Sequence, residues 1–419
     1  MMLLIETILN KCYKFKSYIY KKSRLEKIKT GYKIVIDVYP RKNSQGICSQ
    51  CFIKGSTYDH LAIRRFSFIP LWGFPVEFNY RPRRINCKQC GVKVEKIPWT
   101  EGNSHLTNAF KIFLSQWAKR LSWKETGKIF GVSWDTVRVS IEYVVSYGLK
   151  NRIMDGIKSI GIDEVQYRLG HTYLTLVYQI DNHCKRLLWI GEDRRAKTLL
   201  RFFRMLGKPL TLKIQAVCSD MWKPYLKVIR KKAINATHIL DRFHIMKNFN
   251  AAIDKTRRQE ARKMREEGYE EILKNSRWVL LKNKKNLKES QMSKLKDMLQ
   301  YNLKAIKCYL LKESFQKFWE YNSPYWAEKF LKRWTYIAMR SKIDPMKKVA
   351  KMLRRHQPLI LNWFRMHKQI SNGVVEGFNN KVKLTVRKSY GFKSFRIAEL
   401  ALYHVLGNLP EPELNHKFT

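Results

Sequence analysis

The sequence predicts a multidomain α/β chain in which a mixed sheet is interrupted by a long all-helical stretch and preceded by a strand-rich segment and a pair of short helices. Three observations predict it. Two C-x-x-C pairs sit among strand-like residues near the start. The apolar spacing lengthens to three and four at Thr107, and alternation returns at Ile157 before helical spacing takes over for 242–368. A chain of 419 residues accommodates two or three domains. Its 45 % hydrophobic and 13 % aromatic content supplies real cores and excludes a disordered chain.

Charge narrows the partner. Lys and Arg number 83 against 34 Asp and Glu, a net +49. The excess is spread, with +14 over residues 1–100, +14 over 101–250, +16 over 251–360 and +5 over 361–419. A body basic throughout implies an extended polyanion, most simply DNA or RNA, because neutralising phosphates releases counterions. A small-molecule metabolic enzyme rarely needs such a field. Eight cysteines, four of them in two tight pairs, argue against a disulfide scaffold. No apolar run approaches the ~18 residues of a membrane span. The opening MMLLIETILNKCYKFK has neither a leading basic region nor a small-residue cleavage site, so no signal peptide is expected. The expected setting is a reducing compartment with access to DNA, which in a bacterium is the cytoplasm.

In the first hundred residues, KIVIDVYP (33–40) alternates as a strand, and FSFIPLWGFPVEF (66–78) is aromatic and broken by Pro and Gly. Cys48, Cys51, Cys87 and Cys90 form C-x2-C-x35-C-x2-C, each pair followed by a strand-like segment. Two intervening residues let both thiolates of a pair reach one tetrahedral Zn²⁺, and four thiolates leave no open position, so such a site is structural. Two reduced pairs, or one redox pair, are the alternatives. Cys12, Cys184, Cys218 and Cys308 stand alone and are expected to be buried or incidental.

In LSWKETGKIFGVSWDTVRVSIEYV a short helix (about 122–130) meets a Gly-Val-Ser corner, and a second helix begins at Trp134. Gly131 suits a positive φ at the first helix's end. Ser133 can cap the second, with Asp135 favourable beside its N-terminus. Val132, Val137 and Ile141 are expected to pack on Ile129 and the upstream helix. Trp134, Asp135, Thr136 and Arg138 then remain near the exposed start of the second helix, where a helix-turn-helix makes base contacts. An ordinary helical hairpin has the same pattern.

From 157 to 241 the order is strand, strand, strand, helix, strand, helix, strand: SIGIDEVQY, HTYLTLVYQI, KRLLWIG, KIQAVCSD and THILD, with helices near 195–206 and 221–232. Carboxylates are sparse here, so their placement is informative. Asp163 lies inside the first strand, where a charge is costly unless solvated, paired or bound to metal. Asp220 ends the fourth strand, at the rim where ligands of such sheets collect. Glu376 starts the last helical stretch (about 373–407) and is the only acid between Asp344 and Glu399. Two aspartates and a distant glutamate are the all-oxygen set that Mg²⁺ takes, and a pair of such ions serves an in-line phosphodiester displacement. Taken singly, each acid also reads as a surface carboxylate or an ion-pair partner.

This order of elements resembles the RNase H-like core of DDE transposases and integrases. Gly161-Ile162-Asp163-Glu164, Ser219-Asp220-Met221 with Tyr225, Asp241-Arg242-Phe243-His244, Val375-Glu376-Gly377-Phe378-Asn379-Asn380-Lys381 and Tyr390-Gly391-Phe392 resemble, in order, the motifs of the ISL-three family of bacterial insertion-sequence transposases. That family also carries an N-terminal zinc-binding segment and a helix-turn-helix. The resemblance implies a zinc-binding ribbon-like domain over 1–100, a helix-turn-helix domain over 105–150 and a catalytic core over 155–250. An all-helical insertion over 251–368 and a closing core helix within 369–409 complete it. It implies Asp163, Asp220 and Glu376 as the catalytic triad and as ligands of Mg²⁺ or Mn²⁺. Asp241 and His244 resemble a D/C-x-x-H element that helps hold or protonate a DNA strand, and capping of the helix from 242 is the structural alternative. Glu164 points to the opposite strand face from Asp163 and is left out of the site.

On a helix Glu376, Asn380, Lys383 and Arg387 share one face. Lys383 and Arg387 would run along a DNA backbone, extended by Lys388 and Lys393, unless the face is simply solvated. Trp278, Trp319, Trp326 and Trp334 of the insertion are expected in its core, with base stacking, one aromatic inserted beside a flipped base, as the alternative. The resulting expectation is a transposase that binds the terminal inverted repeats of its element, cleaves the ends and joins the 3′-OH to target DNA. It would act as a homodimer or higher oligomer. A catalytically inactive DNA-binding regulator and an RNase H-type nuclease are the competing readings.

Overall fold

The computed structural model describes residues 4–29, 31–168, 170, 172–366, 373–389 and 391–413. Tyr390, quoted in the last motif above, lies outside them. The chain forms two compact units, Met1–Ile153 with Thr385–Thr419, and Met154–Leu384.

The first unit opens with α1 (Ile5–Cys12) and the strands β1 (Tyr18–Ile28), β2 (Gly31–Pro40), β3 (Gly46–Ile47), β4 (Lys54–His60), β5 (Arg64–Leu71), β6 (Phe74–Tyr80), β7 (Arg83–Cys87) and β8 (Gly91–Val94). They make two four-stranded sheets, β1-β2-β6-β5 and β3-β4-β7-β8. The alternation read in 33–40 is real: Ile34, Ile36 and Val38 enter one core with Tyr18, Tyr20, Phe66, Phe78, Tyr80 and Trp99. The aromatic run 66–78 is two strands, turned by Trp72 and Gly73 at φ 50° and 82°, the paired positive values of a type I′ hairpin. Trp99 presents its edge to Tyr18 and Tyr80 at 5.0 and 5.2 Å. Above it lies a buried ion pair. Glu95 accepts from Arg83 Nη2 (2.7 Å), Arg83 Nε (2.9 Å) and the Tyr18 hydroxyl (3.0 Å), and also from the Tyr80 hydroxyl.

Next come α2 (Asn108–Arg120), α3 (Trp123–Ile129) and α4 (Trp134–Asn151). Ser122 and Glu125 close a capping box on α3, and Ser133 Oγ accepts from Thr136 N–H at the start of α4. Gly131 has φ 63°, as the corner requires. Val137 and Ile141 are buried, but Ile129 is 59 % exposed. The expected packing onto Ile129 is corrected: Phe130, one residue on, meets Phe113 and Trp117 of α2. At the end of α3 the chain turns, and the apolar position facing α2 moves forward by one.

The second unit begins with β9 (Ser159–Arg168), β10 (Thr172–Asp181), β11 (Cys184–Glu192), α5 (Ala196–Leu206), α6 (Lys208–Leu212), β12 (Ala216–Ser219), α7 (Lys223–Lys232) and β13 (Thr237–Leu240). The sheet order is β11-β10-β9-β12-β13. The first three strands form an antiparallel meander, and β12 and β13 run parallel to β9. Ile160 and Ile162 of β9 and Val217 of β12 bury one face with Phe202, Tyr225 and Ile229 of α5 and α7.

The helical stretch comprises α8 (Arg242–Glu266), α9 (Arg277–Leu281), α10 (Glu289–Leu299), α11 (Lys304–Gln316), α12 (Pro324–Arg340), α13 (Asp344–Arg355) and α14 (Gln357–Arg365) around one core of Phe249, Phe315, Phe318, Trp319, Trp334 and Phe364. The tryptophan expectation divides. Trp319 and Trp334 are core, whereas Trp278 and Trp326 are 58 % and 56 % exposed, with Arg277 and Lys329 over their rings. Trp278 lies on the five-residue α9, too short for its spacing to define an inward face, and Trp326 lies in the first turn of α12. Two helices close the chain, α15 (Gly373–Lys388) and α16 (Phe395–Leu406). Cys218 and Cys308 are buried, Cys12 is exposed and Cys184 half-buried. No helix among the described residues is long and apolar enough to cross a membrane.

Candidate metal centre and nucleic-acid interface

Parallel register builds the acidic site. Cys218 pairs with Gly161 and Ser219 with Leu240. Asp163 lies two residues further along β9, Asp220 and Asp241 directly follow β12 and β13, and Asp241 N–H donates to Ser219 O at 2.9 Å. On β9, side chains alternate. Ile160 and Ile162 face α5 and α7, so Gly161 and Asp163 face away from them. Gly161 lets α15 come close, because a Cβ there would lie 2.5 Å from Val375 Cγ2. Phe378 of α15 stacks on Tyr178 at 4.7 Å and 6°. Asn379, the next residue, donates to Asp163 Oδ2 and accepts from the Tyr178 hydroxyl at 3.1 Å.

Asp241 caps α8: its Oδ1 accepts from Phe243 N–H at 2.7 Å, and its Oδ2 lies 2.9 Å from His244 Nδ1. The capping and the imidazole-holding roles coexist. Ligand atoms of Asp163, Asp241 and His244 all lie within 4.8 Å of one another. Two carboxylates and an imidazole at that spacing fit a divalent cation of the Mg²⁺/Mn²⁺ class. Burial raises the Asp163 carboxyl above its usual range, opposed by His244. For His244, burial pulls downward, but the bond to Asp241 and the charges of Asp241, Asp163 and Asp220 hold it above the ordinary imidazole value.

Asp220 behaves differently. Its Oδ1 accepts from Trp222 N–H (2.9 Å) and its Oδ2 from Arg194 Nη2 (2.8 Å), while Arg194 Nε donates to Glu164 Oε1 (3.0 Å). Glu164 does lie on the strand face opposite Asp163, but leaving it aside missed its link to Asp220 through Arg194. Burial, then Asp220, pushes the Glu164 carboxyl up to about 7, against Arg194. Glu376 is exposed on α15, one turn before Asn379. The structure thus brings Asp163 together with Asp241 and His244. It does not gather Asp163, Asp220 and Glu376 within that same 4.8 Å. Asn379 and Arg194 were missed. The pairing of an acid with Asn379 was hidden because the partners stand 216 residues apart.

The four sulfurs of Cys48, Cys51, Cys87 and Cys90 also lie within 4.8 Å of one another, with Cys51 and Cys87 at 3.3 Å. A tetrahedral ion with ~2.3 Å bonds separates its sulfurs by ~3.8 Å, so the set fits Zn²⁺. The connections from β3 to β4 and from β7 to β8 hold the pairs, and Gly55 lets β4 approach β7, since a Cβ there would sit 2.7 Å from Asn86 O. Backbone N–H groups of Cys51 and Gln50 pull the Cys48 thiol down to about 7.

At the start of α4, Trp134 and Asp135 are exposed and Thr136 half-buried. Trp134 lies 5.7 Å from the Trp123 ring. Arg138 is engaged by Asp135 (2.8 Å) and Glu142 (2.9 Å). On α15, Glu376, Asn380, Lys383 and Arg387 are all exposed, the shared face expected. Lys388 departs from it, its Nζ donating to Lys119 O at 3.4 Å.

Residues 160–401 match a family model described as a transposase, of the DDE ISL-three kind. The chain is 27 % identical over 350 residues to the transposase for insertion sequence element IS1001 of Bordetella parapertussis, covering 83 % of this chain and 85 % of that protein. It is also 27 % identical over 406 residues to the transposase for insertion sequence element IS1557 of Mycobacterium tuberculosis, covering 91 % and 90 %. With its ordered motifs, its acidic cluster and a family match over more than half its length, the chain belongs to the ISL-three family of insertion-sequence transposases.

Proposed function

We propose that this transposase binds the terminal inverted repeats of its element, cleaves the ends and joins each freed 3′-OH to target DNA through a two-metal centre. The observation that carries the reading is the meeting of Asp163 with Asp241 and His244 within 4.8 Å, beside the helix that bears Glu376, with Asp220 directly after β12 and Asp241 directly after the neighbouring β13. The strand order, three antiparallel strands followed by two parallel ones, supports an RNase H-like core. Asp163, Asp220 and Glu376 are the proposed catalytic acids. Asp241 and His244 are metal-side partners, because their ligand atoms already lie beside Asp163. Bound Mg²⁺ or Mn²⁺ would supply charge to the attacking and leaving oxygens. The residues themselves orient: Asn379 holds the Asp163 carboxylate, and Asp241 holds the His244 ring. Glu376 would join from the exposed side of α15, one turn before Asn379, and Lys383 and Arg387 on its face would follow the DNA backbone.

Cys48, Cys51, Cys87 and Cys90 are the proposed structural zinc site. The α3–α4 pair is the proposed end reader, with Trp134 and Thr136 nearest the DNA and Arg138 freed from Asp135 on binding. Domain limits of 1–100, 105–150, 155–250, 251–368 and 369–409, action as a homodimer or higher oligomer, and a cytoplasmic site of action belong to the same reading. A strand-transfer assay with Mg²⁺ or Mn²⁺ and DNA bearing the element's ends tests it. Joined products are expected, and Asp163→Asn is expected to abolish them while keeping DNA binding. Cleavage without joining would favour a nuclease, and binding alone an inactive regulator.

A further inference from the structure

Arg194 stands out because it touches two of the scarce acids of the core. It follows β11 at a bend where Asp193 takes φ 74°, in the left-handed region that Asp adopts more readily than most residues. Hydrogen bonds hold the bend. Asp193 N–H donates to Tyr173 O (3.0 Å), and Asp193 O accepts from the Thr175 hydroxyl (2.6 Å), which pairs in turn with the Tyr225 hydroxyl (2.6 Å). This anchor aims the guanidinium back across the sheet end, over the Trp222 ring at 4.6 Å, with one nitrogen on Glu164 and another on Asp220. Asp220 and Glu164 are 12 % and 7 % exposed, but Arg194 is 35 % exposed. The cation therefore sits nearer the solvent than either acid it holds.

Asp220 Oδ1 accepts from the Trp222 backbone N–H, and Oδ2, the oxygen without a backbone donor, is occupied by Arg194. We infer that Arg194 is an exchangeable counter-ion of Asp220, displaced from Oδ2 when a divalent cation loads, its freed guanidinium then facing a DNA phosphate. The inference rests on Asp220 being a metal ligand, as proposed above. A monovalent group holding the carboxylate offsets part of the charge of two buried acids until the stronger charge arrives, and it lowers the affinity for that charge by competition. Of the cationic side chains, arginine suits both duties, since its planar fork grips carboxylate and phosphate alike.

Binding of Mn²⁺ by the full-length protein without DNA, followed by electron paramagnetic resonance of the free ion, tests this directly. Arg194→Gln is expected to bind Mn²⁺ at least tenfold more tightly than wild type, and Arg194→Gln/Asp220→Asn to lose that gain. Arg194→Lys, whose ammonium lacks the fork, is expected to show a smaller gain and serves if the glutamine variant does not fold. Unchanged or weaker Mn²⁺ binding in a folded Arg194 variant would overturn the inference, because a counter-ion that competes for Oδ2 must release affinity when removed, and a gain that survives Asp220→Asn would overturn it too, because that gain would not act through Oδ2. Failure of the wider reading looks different. There, Asp163→Asn would still join DNA ends, whatever Arg194 variants do to Mn²⁺.

Discussion

A side chain that is absent governs the acidic centre as much as those present. Gly161 leaves room for Val375, and that approach carries Asn379 to Asp163. Next to this centre, His238 is buried, with Nε2 2.8 Å from Ser219 Oγ, one residue before Asp220. Burial, helped by His356, depresses its value to about 4. In the unfolded chain it titrates near 6.5, so above that pH neither state binds the proton and stability is unaffected. As pH falls below 6.5 the unfolded state protonates first, and stability drops until about pH 4, where the loss levels off. Urea unfolding at pH 7 and 4.5 should show about 2–3 kcal/mol of this loss. His238→Gln should remove that share of it, and equal losses in both proteins would refute the assignment.

At the level of elements, the first unit is tied through a charge. Glu95 follows β8 and Arg83 starts β7, yet the tyrosine hydroxyls that finish their pairing come from β1 and β6 of the other sheet. Cutting one partner leaves the other ion buried and uncompensated, a loss of about 3–5 kcal/mol. Glu95→Gln is expected to lower the unfolding free energy of this unit by an amount in that range. An unchanged denaturation midpoint would mean the charge is solvated in solution. The helical region solves a related problem with Lys312, whose buried Nζ caps α9 by donating to Leu280 O at 3.1 Å and to Leu281 O and Lys282 O. Elements with strong local signals were legible: β2, α3 and α4 fell where their spacing and caps put them. The first strand, β1, was not read, because YIYKKSRLEKI mixes charge into an 11-residue edge strand whose alternation fades after Tyr20.

For the molecule as a whole, two units imply two separable stabilities. If the four thiolates hold zinc, a chelator at pH 7 should release one zinc per chain, read by a colorimetric indicator. The thermal transition of the unit containing Met1–Ile153 should fall, and that of Met154–Leu384 should stay. Cys87→Ser should reproduce the shift. A purified chain that carries no zinc, with an unaltered transition on chelation, would return the cysteines to a reduced, metal-free role.

The amino-acid sequence by itself determined the basic body, the cysteine spacing, the capped helix pair and the order of strands around Asp163, Asp220 and Asp241, since each depends on composition or on neighbours a few residues away. It also carried the family, through motifs kept in order along the chain. Only the tertiary structure decided which groups meet. Asp163 finds Asn379, Asp241 and His244, while Asp220 is held with Glu164 by Arg194. Those pairings depend on parallel register and on how closely a late helix can approach a glycine. Both are properties of the packed sheet that no local run of residues encodes.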